Sequence, residues 1–237
     1  CSREAGALTI VEKHNIQLAR ERQAAEIEAR RIEAAAQAEQ DIAAAEFAVD
    51  HPYLVAKQVG SHGLLLDGDK LLIPIVDSTG QVISHQTIGP DGEKRFLAGG
   101  RKKGGFFMLG RPSGVIYVAE GYSTAASVYE ATGQCAVCAF DAGNLAPVVE
   151  GLRAAWPRAE IVIAAEVGAD WNDVWVSDGC QAVLDGVQSR IVRVMASGFS
   201  AADMRGVEPR RWLYGKHLIR GYVSATVSPG GVGKTTL

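Results

Sequence analysis

The stretch that most constrains the fold is Val115-Ile116-Tyr117-Val118-Ala119-Glu120-Gly121-Tyr122-Ser123-Thr124. Its apolar run, 115–119, has the length and β-branched content of a buried strand. The run ends on a carboxylate and a glycine. Ser123 and Thr124 then offer hydroxyls that cap a helix, and Ala125-Ala126-Ser127-Val128-Tyr129-Glu130 continues as one. A strand that turns through an acid and a glycine straight into a helix belongs in an α/β sheet. It places Glu120 at the carboxyl end of its strand, where open α/β sheets carry their sites. A solvated acid at a strand end fits the same spacing.

The alternation continues downstream. Strands are expected at 115–119, 135–140 and 160–165, with helices at about 123–132 and 144–155, which predicts a parallel, doubly wound sheet with right-handed crossovers. Glu120, Asp141 and the residues after Ala165 then fall at carboxyl strand ends, where they can converge. Upstream the pattern is different. Residues 64–76 read as two strands around Asp67-Gly68-Asp69, and 81–88 as another, with turns at Asp77-Ser78-Thr79-Gly80 and Gly89-Pro90-Asp91-Gly92. That is a small antiparallel sheet. A short helix is expected over 53–59, after His51-Pro52 breaks a long one. Residues 7–47 are rich in Ala, Glu, Gln and Arg with a weak apolar face, which predicts a long, largely solvated helix acting as a linker. The fold class is α/β, organised as 1–50 helix, 51–112 antiparallel subdomain, 113–197 parallel-sheet domain, and 198–237 linker and the start of another domain.

Net charge is −3 over 237 residues, so the chain as a whole does not attract polyanions, and any nucleic-acid contact must use a local patch. Such a patch exists. Lys94, Arg95, Arg101, Lys102 and Lys103 lie within ten residues, interleaved with Phe96 and glycines, a pattern suited to phosphate. A solvated, mobile loop explains the same charge run. No apolar run approaches membrane-spanning length and no signal-peptide pattern opens the chain, so a cytoplasmic location is expected. Cys135-x-x-Cys138 has zinc-knuckle spacing, but no second pair or histidine follows it. Its surroundings read as a buried strand, so core packing is expected.

Three motifs in order carry a family resemblance. Ala119-Glu120-Gly121-Tyr122, then Ala139-Phe140-Asp141-Ala142-Gly143-Asn144-Leu145, then Ile161-Val162-Ile163-Ala164-Ala165 resemble the TOPRIM domain, in the form found in primase-like proteins of plasmids and phages. The resemblance runs from about His51 to Asp173. It implies Mg²⁺-dependent nucleotidyl transfer on a single-stranded DNA template, with nucleotides as substrates, replication proteins as possible partners and no membrane. It assigns Glu120 as metal ligand and acid/base. It also implies that the small sheet and its basic stretch guide the template.

The chain departs from that pattern after Ala165. The family's Asp-x-Asp pair is missing, and Glu166-Val167-Gly168-Ala169-Asp170-Trp171-Asn172-Asp173 stands in its place. Loss of one helix-plus-strand repeat, roughly 30 residues, accounts for this. Glu166, Asp170 and Asp173 are then candidate substitute metal ligands, or surface acids. Near the end, a strand at 222–227 runs into Ser228-Pro229-Gly230-Gly231-Val232-Gly233-Lys234-Thr235-Thr236, a Walker A loop with Ser228 in place of glycine. Gly230, Gly231 and Gly233 would cradle ATP phosphates, Lys234 would neutralise them and Thr235 would hold Mg²⁺. The segment from Trp212 resembles the start of RecA-like helicase ATPases of plasmid replication. With Cys1 first and Leu237 inside a motif, the sequence is expected to be a piece of a longer polypeptide.

Overall fold

The computed structural model describes residues 10–164, 170–189, 212–214 and 218–219. The chain divides into two compact units, Cys1–Ile191 and Val192–Leu237.

The first unit opens with α1 (Ile10–Ala44), a helix of 35 residues. Residues 11–33 are exposed, as a sequence rich in Glu, Arg and Gln requires. The expected solvated linker is nevertheless only part of the helix. Ala34 and Ala38 lie one turn apart and are buried, and small side chains there let the backbone come close to the sheet beneath. The Asp41 carboxylate meets His85 Nε2 at 2.9 Å, pinning the last turns.

An antiparallel sheet follows, formed by β1 (Glu46–Phe47), β2 (Leu65–Asp67), β3 (Lys70–Val76), β4 (Val82–Ile88) and β5 (Lys94–Phe96), in spatial order β1-β2-β3-β4-β5. Asp67 pairs with Lys70 across a two-residue turn in which Gly68 takes a φ of 60°. Short helix α2 (Pro52–Lys57) is capped by His51, whose Nδ1 accepts from the Tyr53 N–H at 3.2 Å. The basic stretch is not the single loop the charge run suggested. Lys94–Phe96 is an edge strand paired with β4, with Phe96 opposite Gln86 and Lys94 opposite Ile88.

The second sheet contains β6 (Phe107–Leu109), β7 (Val115–Ala119), β8 (Cys135–Cys138) and β9 (Glu160–Ile163), in order β6-β8-β7-β9. Its helices are α3 (Tyr122–Thr132), α4 (Leu145–Ala155) and α5 (Trp171–Ser189), the last broken at Gly179. β7 runs parallel to both β8 and β9, matching the expected alternation. The sheet is mixed, because β6 pairs antiparallel with β8. β6 was not legible as a strand, since three residues are too few to show a period. It precedes the expected boundary at 112 and yet belongs to the second sheet.

The topology explains where the helices lie. The β7–α3–β8 crossover steps to one side of β7, and β8–α4–β9 passes back to the other. Right-handed crossovers in opposite directions put α3 and α4 on opposite faces. Pleating then divides the strand residues between two cores. Tyr117, Ala119, Ala136 and Cys138 face the α3 side with Tyr122, Ala125 and Val128. Ile116, Val118, Cys135 and Val137 face α4 with Val148 and Leu152. The first core also takes in Leu71, Ile73, Ile75 and Ile88, so the antiparallel sheet packs against the α3 side. Cys135 and Cys138 point into different cores and cannot share a zinc ion. β7 is the strand at which the order reverses, so Glu120 stands at the topological switch point.

In the second unit, β10 (Trp212–Tyr214) pairs antiparallel with β11 (Leu218–Ile219). The expected strand at 222–227 lies outside the described residues, as does the Walker A loop. Among the described residues no helix is long and apolar enough to cross a membrane.

Candidate nucleic-acid interface

The carboxyl ends of β7 and β8 meet the basic edge of the antiparallel sheet. Glu120 follows β7 directly and its residue is exposed. Lys94 reaches over the Glu120–Gly121 turn, with Nζ 3.9 Å from where a Gly121 Cβ would stand. The same ammonium lies 5.9 Å from the centre of the Tyr53 ring. Phe96 leans edge-on against Phe140 with ring centres 6.0 Å apart, and Lys102 Nζ sits 4.8 Å over the Phe96 ring. Lys102 also forms an ion pair with Asp141, three residues beyond the Cys138 that closes β8. Phe140 takes a φ of 71°, a left-handed conformation that side chains with a Cβ rarely adopt. That turn aims Asp141 toward the basic loop.

The loop from Leu97 to Phe106 is held at several points. Arg101 Nη2 donates to Asp77 Oδ2 at 3.1 Å. Asp77 Oδ1 in turn accepts from the N–H and hydroxyl of Thr79 at 2.9 and 2.6 Å and from the Gln81 N–H at 3.3 Å. Burial alone would raise the Asp77 pKa, but these bonds and the Arg101 charge outweigh it and lower the pKa below 3.8. A Cβ at Gly105 would come within 2.5 Å of Ile75 and 2.6 Å of Ile83, so only glycine lets the loop lie this close to β3 and β4. Asn144, 3% exposed, ties the loop to the end of β8. Its Nδ2 donates to the carbonyls of Ala139 at 2.8 Å, Gly105 at 2.9 Å and Lys102 at 3.2 Å, and its Oδ1 accepts from the Gly104 N–H at 2.7 Å.

The expected DNA-binding residues therefore differ in their surroundings. Arg101 and Lys102 are engaged by carboxylates. Arg95 pairs at 2.9 Å with Glu93 in an exposed ion pair of little energetic weight. Lys103 is exposed and Lys94 overhangs the β7 turn. Phe96, 40% exposed, offers a ring face between cations.

The expected metal ligands Asp170 and Asp173 have protein partners at the start of α5. Asp170 caps α5: its Oδ1 accepts from the Asn172 N–H at 2.9 Å and the Thr124 hydroxyl at 2.7 Å. Asp173 is in the first turn of α5, 3.8 Å from Lys57. Asn172 is fully buried and donates through Nδ2 to the Lys57 carbonyl at 2.8 Å and Ser127 Oγ at 3.0 Å. The Asp170-Trp171-Asn172-Asp173 turn thus joins α5 to α3 and α2. Glu166 and the nucleotide-binding candidates Gly230, Gly231, Gly233, Lys234 and Thr235 lie outside the described residues. Among the described residues no three Asp, Glu, His or Cys side chains stand together as a metal site. Glu120 is exposed, Asp141 is ion-paired with Lys102, and Asp170 Oδ1 serves the α5 cap. Burial pushes the neighbouring Cys138 thiol up to about 12, so it offers no thiolate near neutral pH.

Two features of the site were not read from sequence. One is the Asn144 clamp, because nothing local marks an Asn as buried. The other is the close loop packing, for which the pairs Gly99-Gly100 and Gly104-Gly105 flanking the three cations were the available signal.

No protein-family model matches the sequence. Two Escherichia coli proteins named DNA primase TraC are similar to it. One is 40% identical over 136 residues, covering 54% of this chain and 12% of the relative. The other is 38% identical over 123 residues, covering 48% of this chain and 8% of the relative. The chain therefore spans only a small part of the curated relatives it matches. Among solved structures, the primase fragment of the bacteriophage T7 primase-helicase protein aligns with a TM-score of 0.47 at 13% identity, covering 60% of this chain and 75% of that one. The DnaG primase catalytic domain bound to ssDNA aligns with a TM-score of 0.38 at 14% identity, covering 57% and 59%.

Proposed function

We propose that this chain is a DNA-primase-like module that holds a single-stranded DNA template across the carboxyl ends of β7 and β8. The observation that carries the reading is the seating of β5 and the following loop, with their cations and Phe96, against Glu120 and Asp141. Lys94 and Lys103 supply charge for phosphates. Lys102 joins them by exchanging its Asp141 carboxylate for a phosphate oxygen, and Arg95 by leaving an exposed partner. Phe96 provides a stacking face for a base, a combination that binds single strands with little sequence preference. Arg101, held by Asp77, shapes the loop. The similarity to the TraC sequences supports the same reading.

Finer assignments rest on the sequence motifs. They are a TOPRIM-type site performing Mg²⁺-dependent nucleotidyl transfer with Glu120 as the acidic residue, fusion to a helicase-type ATPase that uses the Walker A loop, and replication proteins as partners. Template binding without catalysis is the second reading, favoured by the engagement of Asp141 and Asp170 elsewhere. Fluorescence anisotropy with a labelled oligothymidylate over a salt series tests binding. Affinity should fall steeply with salt, by about 0.7 in log–log slope per phosphate contacted. Salt-independent binding, or unchanged affinity after Lys94→Ala with Lys102→Ala and Lys103→Ala, would overturn the proposal. Template-directed primer synthesis in Mg²⁺, abolished by Glu120→Ala, would select the catalytic reading over binding alone.

A further inference from the structure

The loop that carries Lys102 and Lys103 owes its shape to one side chain from the other sheet. Asn144 ends the 3₁₀ turn after β8 and sits almost wholly out of solvent. It bonds the Lys102–Gly105 turn of the loop at the Lys102 carbonyl, at the Gly105 carbonyl and at the Gly104 amide between them. Its remaining bond goes to the Ala139 carbonyl at the end of β8. An amide can do this, because it presents two N–H donors, one of them shared between two carbonyls, and an acceptor in one plane. Its own backbone N–H bonds Asp141 Oδ1 at 3.0 Å, and Asp141 is also the partner of Lys102. The basic loop and the acidic strand end are thereby one hydrogen-bonded unit, with Asn144 at the joint.

We infer that Asn144 is a positioning residue for the template: it fixes the Lys102–Gly105 turn so that Lys102 and Lys103 stand at the β8 carboxyl end, ready to meet phosphate. This rests on the template-binding reading above. A loop tethered before binding loses less conformational freedom when the strand arrives, so the lysines bind more tightly than the same charges on a free loop. Without the clamp the turn keeps its Gly105 N–H to Lys102 carbonyl bond at 2.8 Å, but is left with the Lys102–Asp141 ion pair as its tie to the β8 end.

The test is a double-mutant cycle read by oligothymidylate anisotropy over a salt series, on the full chain. Lys102→Ala with Lys103→Ala should weaken binding and reduce the salt slope by about 1.4, two contacts at about 0.7 each. Asn144→Ala should weaken binding by roughly tenfold and reduce the slope in the same sense. In the lysine-less background it should have little further effect, because the groups it positions are gone. General destabilisation would not change the salt slope and would weaken both backgrounds alike. Asn144→Asp keeps the side-chain volume but not the donors, and should reproduce the loss if the alanine variant folds poorly. Hydrogen exchange of the Gly104 amide in the unmodified protein is independent of either variant and should show protection. If the lysine pair has no effect, the template reading itself fails. If the lysines matter but Asn144→Ala or Asn144→Asp binds normally, acts equally in both backgrounds, or Gly104 exchanges freely, the positioning role alone is overturned.

Discussion

Replacement of Asp170 separates a structural role from metal binding. Its Oδ1 accepts two hydrogen bonds, from the Asn172 N–H that begins α5 and from the Thr124 hydroxyl in α3. In Asp170→Ala the cap is lost, at a cost of about 1 kcal/mol. The Thr124 hydroxyl loses a charged acceptor in a partly buried position, which adds roughly another 1–2 kcal/mol. The expected total is about 2–3 kcal/mol. In a unit of this size that corresponds to a fall in Tm of roughly 5–10 °C. Asp170→Asn caps nearly as well and still accepts from Thr124, so it should cost less than about 1 kcal/mol. Urea unfolding followed by circular dichroism, with thermal melts alongside, measures both. An alanine variant within about 0.5 kcal/mol of the parent, or equal losses for Asn and Ala, would refute the capping argument. Mg²⁺ discriminates further. An ion bound through Asp170 in the native state would raise the parent's Tm with concentration and leave Asp170→Asn unresponsive. The structure predicts that both respond alike.

Gly105→Ala forces a Cβ to within 2.5 Å of Ile75, and should destabilise by about 1–3 kcal/mol while lifting the basic loop and weakening oligothymidylate binding; normal stability and affinity would show that the loop is not seated this way. The Asp77 pKa is depressed in the folded state, so its stabilisation is present above 3.8 and is lost as pH falls through the folded value; the parent's urea midpoint should drop on acidification while Asp77→Asn shows a flatter profile, and parallel profiles would contradict this. Burial raises the Cys135 thiol to about 11 and Cys138 to about 12, whereas Cys180 is exposed; iodoacetamide at neutral pH should label Cys180 and spare the other two, as peptide mass spectrometry would show, and rapid labelling of Cys138 in the folded protein would refute its placement.

What the sequence determined by itself is the local grammar. An apolar pentad followed by Glu-Gly-Tyr and two hydroxyl residues reads as a buried strand turning into a helix, and the observed β7 and α3 begin within a residue of expectation. Alternating strands and helices likewise imply parallel pairing with helices on both faces, because no other connection buries both elements. The tertiary structure decided everything that depends on which distant residues meet. β5 and β6 are three residues each and acquire strand geometry only from the ladders of β4 and β8. The basic stretch carries its charge in sequence, but whether Arg101 and Lys102 are free or held by a carboxylate depends on Asp77 and Asp141, which come from other elements. The same holds for Asp170-Trp171-Asn172-Asp173: its acids read as candidate ligands in sequence, and only the fold shows Asp170 capping α5 and Asp173 beside Lys57. Asn144 is the limiting case. Only the approach of a loop from the other sheet turns a polar residue at a helix start into the buried joint of the site.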